Sequence, residues 1–264
     1  MKTYTINDLR KSIRKVGIKK GDTVFIYPEI YKFGILENIQ SNNQLYEVFF
    51  KVIKKIIGPK GTICIQSYTF DTLRFKRKFY YDEPVSTSGG FSNYILSLKE
   101  TIRSHHPVFS IASIGYKSKF ISQKNSFHNY GYNSPLEKFI RLKGKILSLG
   151  SSIVENPFNH VAEHMVGVPF YFNKYNNFKI VKSNKMKRQE FTSSVRYLNF
   201  EWVRDYRKIK REIKKNKILK SSKLGESFIY CCNVKKYYDI CINLLIKDQF
   251  SMIDKKKYLK SFKD

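Results

Sequence analysis

The sequence is short of acids. It carries 21 Asp and Glu against 50 Lys and Arg in 264 residues, a formal net charge of +29. Such a surface repels polycations and draws anions: nucleic acid, anionic lipid or phosphorylated small molecules. No apolar run approaches the roughly 18–20 residues that a membrane helix needs, so no membrane span is expected. The N-terminus, Met1 to Arg10, lacks the apolar stretch of a signal peptide and goes directly into a charged amphipathic segment, which predicts a cytoplasmic protein. Cysteine is scarce as well. Cys64, Cys231, Cys232 and Cys241 have neither zinc-ligand spacing nor a framework pattern, so free thiols in a reducing compartment are expected. No Pro- or Ser-rich linker and no internal repeat divides the chain, and one domain over residues 1–264 follows. What is present, 42% hydrophobic and 16% aromatic residues, excludes disorder as the general state.

Periodicity gives a strand–helix–strand order. Leu9, Ile13 and Val16 share a helical face over residues 5–18, with Thr5 placed to cap it. Residues 22–27 and 62–66 are apolar, β-branched runs of the buried-strand type, separated by helical spacing over 43–57 and a Gly58–Gly61 turn. Residues 109–114 and 145–149 read as further strands, 91–102 and 156–166 as helices. This predicts an α/β protein, a single domain with a mixed central β-sheet flanked by helices. Residues 204–223 hold ten Lys or Arg, which reads as a solvated basic face or as an anion-binding rim.

The densest chemical cluster is Asn156-Pro-Phe-Asn-His160-Val-Ala-Glu163-His164. On a helix, His160 and Glu163 lie one turn apart on one face, as do His160 and His164. In one reading Glu163 holds one ring nitrogen of His160 and leaves the other as an oriented general base. In the other, His-x-x-Glu-His is the inverted zinc-peptidase pattern, with both histidines on a metal. That reading needs a third ligand from a later helix, and nothing around Glu201 or Glu212 forms a recognisable site. No metal is expected. Two other clusters stand out: Arg103-Ser-His-His-Pro107 through Ser110-Ile-Ala112, and the turn-rich His128-Asn-Tyr-Gly131-Tyr-Asn-Ser134-Pro135.

In their order and spacing, these clusters resemble the aminoglycoside 3-N-acetyltransferase family. Gly144-Lys-Ile-Leu-Ser-Leu-Gly150 and the His160-x-x-Glu163 pair complete the set, which spans about residues 5–170 with an echo at Gly225-Glu-Ser. The resemblance implies a mixed α/β fold and an acyl-CoA donor. It assigns His160 the deprotonation of an acceptor amine and Glu163 its orientation. It lays Arg103, Ser104, His106, Ser110, Ile111 and Ala112 along the donor's pantetheine arm. Tyr68, Asp71, His128 and Asn159 would face the acceptor. Where the family has His-Ser-Ser, Pro-Thr-Phe and Thr-x-Leu, this chain has Tyr27-Pro-Glu29, Gln66-Ser-Tyr68 and Pro157-Phe-Asn159, so the acceptor side is rebuilt.

A strongly positive protein is a poor collector of polycationic aminoglycosides. The sequence therefore points first to relatives that acylate a dTDP- or UDP-linked amino sugar for surface polysaccharide (O-antigen or capsule). The partners would be that small anionic acceptor and acyl-CoA, with a homodimer compatible and no specific nucleic acid. The alternative is the family's aminoglycoside acetylation, which confers antibiotic resistance. A third reading is a nucleic-acid-binding module using Lys, Tyr and Phe, although no nucleic-acid motif appears and the aromatics fall in apolar runs.

Overall fold

The runs Thr23–Pro28 (β1) and Thr62–Gln66 (β2) are almost unbroken apolar stretches because both of their faces are covered. The computed structural model, which describes residues 2–261, sets them side by side and parallel, with Phe25 opposite Cys64. The chain continues through β3 (Ile102–Arg103), β4 (Ile111–Gly115) and β5 (Lys145–Leu149). A long hairpin of β6 (Tyr171–Lys182) and β7 (Lys185–Arg196) follows, then β8 (Lys220–Leu224) and β9 (Ser227–Asn233). The main sheet has seven strands in the order β8-β9-β5-β1-β2-β4-β3. Its centre, β5-β1-β2, is parallel, and the flanking pairs are antiparallel. This is the mixed sheet the sequence predicts.

Alternation along each strand separates two cores. Val24, Ile26, Ile63 and Ile65 face the helices α1 (Ile6–Lys15), α2 (Asn42–Ile57) and α3 (Gly90–Ser97), meeting Leu9, Ile13, Phe49, Ile53 and Phe91. Phe25, Cys64 and Ile146 face the other side. There α4 (Pro135–Arg141), α5 (Phe158–Val166), α6 (Arg207–Lys215) and α7 (Val234–Lys247) contribute Phe139, Phe158, Ile209 and Tyr237. All four cysteines are buried and free. Among the described residues no helix is long and apolar enough to cross a membrane.

Local signals mostly hold. Thr5 and Asp8 form a reciprocal capping box on α1, and Ser134 caps α4 with Pro135 in its first turn. Several boundaries shift: the helix read over 5–18 ends at Lys15, and the strand read over 109–114 begins at Ile111. The helix expected to Ile102 ends at Ser97, because Leu98 turns extended and Ile102–Arg103 is recruited as an edge strand against β4. α5 begins at Phe158 rather than Asn156, whose Oδ1 accepts the Phe158 N–H at 2.9 Å and so caps the helix from two residues upstream. The strands beyond residue 169 and the helix α7 were not foreseen, and the hairpin is the longest of these elements. Ser183 and Asn184 turn it with φ of 48° and 61°, the left-handed pair of a two-residue type I′ turn.

The carboxyl ends of β1, β2 and β5 open on one edge of the sheet, the place where open α/β sheets hold their ligands. At that edge Gly150 leaves β5 with φ +81°, and a Cβ there would sit 2.5 Å from the Glu29 carbonyl oxygen. Only glycine lets the following loop pass so close to β1. That loop delivers α5.

Candidate active site

α5 buries Phe158, Val161 and Ala162 in the core, which turns Glu163 fully inward and leaves His160 at the surface of a cleft. The His160 side chain keeps 31% of its exposure and Glu163 keeps none. Their contact, His160 Nδ1 to Glu163 Oε2, measures 3.0 Å. A third residue completes the centre. Arg204, from the segment after the hairpin, donates to both Glu163 oxygens, Nη1 to Oε1 and Nη2 to Oε2, the latter at 2.9 Å. Its Nη2 also lies 3.1 Å from the Tyr171 hydroxyl and 3.0 Å from His160 Nδ1.

An ionised Glu163 carboxylate can only accept, so its 3.0 Å contact with His160 Nδ1 is a hydrogen bond in the tautomer that carries the proton on Nδ1. In that tautomer Arg204 Nη2 gives its two hydrogens to Glu163 Oε2 and the Tyr171 oxygen, the Tyr171 hydroxyl 3.1 Å from Nδ1 donates elsewhere, and Nε2 carries a lone pair. Tyr130, buried, stacks on the imidazole at 5.2 Å and 26°, which restrains the ring. Arg204 in turn lies over Trp202 at 4.4 Å. Burial alone would push the Glu163 carboxyl up, but the Arg204 charge and the hydrogen bonds from Arg204 and His160 overcome it and hold Glu163 well below the usual carboxylate range. Arg204 is raised in turn: its own desolvation is the largest single influence, but the Glu163 charge and hydrogen bond, with Tyr171 and Tyr206, together outweigh it.

The cleft beside His160 encloses about 720 Å³, the size of a small-molecule site. Tyr27, Tyr68, Phe109 and Tyr130 form one wall, and Tyr171, Arg196, Trp202 and Tyr206 the other. A sequence model described as aminoglycoside 3-N-acetyltransferase matches residues 36–246. The chain belongs to the aminoglycoside 3-N-acetyltransferase family. Among its relatives, aminoglycoside N(3)-acetyltransferase III of Salmonella sp is 24% identical over 184 residues, covering 63% of this chain and 62% of that protein. The Serratia marcescens enzyme of the same name is 22% identical over 183 residues, covering 62% and 66%. The match therefore spans less than two thirds of these relatives' length. Among solved structures, AAC-IIIb with CoASH superposes with a TM-score of 0.76 at 18% identity, covering 93% of this chain and 97% of that one. AAC-VIa bound to sisomicin gives 0.76 at 17%, covering 92% and 97%. At these identities the structures establish the fold.

Several residues assigned by resemblance sit elsewhere. Of the stretch expected along pantetheine, Arg103, Ser104, His106, Ser110, Ile111 and Ala112 are all buried, and none lines the cleft. Their polar atoms are used internally. Arg103 donates to Ser110 Oγ and to the Glu83 and Ser67 carbonyls, Ser104 Oγ accepts from Ile111, and His106 Nδ1 accepts from Val108 and Phe109. Burial drives the His106 imidazole down to about 3. These residues build the turn into β4. On the acceptor side only Tyr68 lines the cleft. Asp71 lies in a separate groove, 3.8 Å from Arg77. Asn159 is buried, accepting from Tyr237 at 2.7 Å and donating to Val154, because a helix residue next to His160 turns into the core. His128 uses Nδ1 to accept from Tyr130 and Gly131 and so shapes the loop rather than the cleft wall.

The two helix histidines do not converge. His164 stacks on His128 with centroids 4.0 Å apart, away from the His160 Nδ1–Glu163 contact, and burial lowers it to about 4. Among the described residues no group of three or more His, Cys, Asp or Glu is arranged to hold a metal. His164→Ala is accordingly expected to leave acetyl transfer within about threefold of wild type. A loss comparable to that of His160→Ala, measured with one acceptor at saturating donor, would restore a direct role for His164.

The residues that sequence reasoning missed are Arg204, Tyr130, Tyr171 and Trp202. Arg204 sits inside the basic run read as a solvated face or an anion-binding rim, yet it is flanked by Trp202, the only tryptophan, and by Tyr206. An Arg between aromatics in a Lys-rich segment is the available hint, since guanidinium stacks where ammonium stays hydrated.

Proposed function

We propose that this chain transfers the acetyl group of acetyl-CoA to a primary amine of an aminoglycoside. The observation that carries it is the His160 imidazole on the cleft wall, its Nδ1 3.0 Å from a Glu163 carboxylate that Arg204 keeps ionised. Nε2 is thereby a proton acceptor facing a bound amine. As the amine nitrogen attacks the thioester carbonyl, His160 Nε2 takes its proton. The carbon–sulfur bond then breaks, the amide forms, and the imidazolium returns the proton to the departing thiolate. Family membership supports both donor and acceptor class.

The expectation of a nucleotide-linked amino sugar is corrected. The family model and the curated relatives carry the aminoglycoside name, which was the alternative reading, and the nucleic-acid module falls with it. The error lay in using net charge as a local potential. A charge of +29 spread over the surface is screened within about 8 Å at physiological salt, so it does not set what enters a cleft.

Thiol release from acetyl-CoA, followed with gentamicin, sisomicin and a dTDP-amino sugar as acceptors, tests the reading. Release that depends on an aminoglycoside, with the matching mono-acetylated product, is expected. No release with any aminoglycoside would overturn it.

A further inference from the structure

The loop that carries Tyr130 and the strand that carries Tyr171 come from different parts of the fold, yet both side chains meet at His160. Tyr130 stacks on the imidazole at 5.2 Å, and the Tyr171 hydroxyl lies 3.1 Å from Nδ1. One further side chain fastens that loop to that strand. We propose that His128 is a positioning residue for His160, holding Tyr130 against its ring; this rests on the acetyltransferase reading and adds a part to its machinery.

His128 Nδ1 lies 3.1 Å from the backbone nitrogens of both Tyr130 and Gly131. Those amides only donate, so Nδ1 carries no proton and the ring hydrogen sits on Nε2. Nε2 donates it to Asn173 Oδ1 at 3.1 Å. Asn173 stands two residues along β6 from Tyr171, on the same face of the strand. His128 therefore ties the Tyr130 backbone to the strand that delivers Tyr171. Tyr130 and Gly131 are both buried, so without an acceptor at Nδ1 their N–H groups would be stranded away from water. The loop would have to turn to satisfy them, and the Tyr130 ring would leave His160. The base of the loop does not depend on this side chain. Thr192 donates to the Phe127 carbonyl at 3.0 Å, Asn129 to the Thr192 carbonyl at 3.2 Å, and Ser194 to Asn129 Oδ1 at 3.0 Å. Loss of the imidazole should therefore displace Tyr130 without unfolding the loop. His164 stacks on His128 at 4.0 Å but supplies none of these bonds, in keeping with the mild effect expected of His164→Ala.

Two substitutions separate the bonds. His128→Asn keeps an acceptor near Nδ1, where an Asn oxygen reaches the backbone two residues on; His128→Gln puts its amide near Nε2 and leaves Nδ1 unreplaced. His128→Ala and His128→Gln are expected to lower kcat by about 10- to 100-fold, the scale of a misplaced catalytic group, with the KM for acetyl-CoA within about twofold. His128→Asn should stay within about threefold of wild type. If His128 acts through Tyr130, His128→Ala/Tyr130→Leu should be no more than about twofold slower than Tyr130→Leu alone. The His160 ring-proton resonance, assigned by its loss in His160→Gln, gives a readout apart from turnover. Stacking under Tyr130 shifts it upfield, and that shift should vanish in His128→Ala and His128→Gln and persist in His128→Asn. Asn and Gln acting alike, additive losses in the double variant, or a resonance unmoved in His128→Ala would overturn the assignment. If the wild type transfers no acetyl group, the catalytic role falls with that reading, and the resonance alone decides whether His128 holds Tyr130 on the ring.

Discussion

Arg204→Ala is expected to remove about 3–5 kcal/mol of folding stability, because it leaves the Glu163 carboxylate buried without its counter-charge. The effect should depend on pH in a definite direction. In the wild type Glu163 is depressed below its ordinary value of 4.5, so its contribution is fully present above that value and is lost as pH falls through the lower folded one. In the variant, burial is no longer opposed by Arg204, and the carboxyl moves up instead. Stability then falls as pH rises from the unfolded value toward neutrality, and the gap between the two proteins is widest near pH 7 and narrows toward pH 4. Arg204→Lys should recover part of the gap, since an ammonium supplies charge but not the two-pronged contact. Denaturant midpoints at three pH values decide it. A gap that does not change with pH would mean that Arg204 stabilises by packing on Trp202 and not by pairing with Glu163.

How much of this was legible in the chain depends on where each residue's partners lie. β2 and β5 are found at the expected residues, 62–66 and 145–149, because strands covered on both faces announce themselves as apolar runs. The His160–Glu163 contact was legible because both residues lie on one helix turn. Arg204 was not, since its partner lies 41 residues away, and local composition describes its surroundings in sequence only. The β6–β7 hairpin was hidden for a different reason. Most of its residues are exposed, so alternation is confined to a short stretch around Phe178 and Ile180, and Ser183-Asn184 is a weak turn signal beside Asn-Gly. The Ser104–Ala112 stretch is the opposite case. Its residue types suit a ligand, whereas in the structure the Arg103, Ser104 and His106 side chains bond to the local backbone.

His160→Ala is expected to lower turnover by about 10²–10⁴-fold while acetyl-CoA binding changes little, the range a positioned general base contributes. The structure makes this variant cleaner than most. Removing the imidazole does not strand a charge, because Arg204 still holds both Glu163 oxygens, so folding should be nearly intact. The residual rate should rise with pH, as the acceptor amine then has to lose its proton to solvent before it attacks. Glu163→Gln is the informative contrast. Without Arg204 it would count as a mild change that loses only the fixed tautomer; with Arg204 buried against it, the amide leaves an unpaired guanidinium and should cost stability as well as rate. The expected order in turnover is therefore His164→Ala mildest and His160→Ala most severe, and in stability Glu163→Gln the worst of the three. Near-normal turnover in His160→Ala, or a residual rate that ignores pH, would show that another group takes the proton.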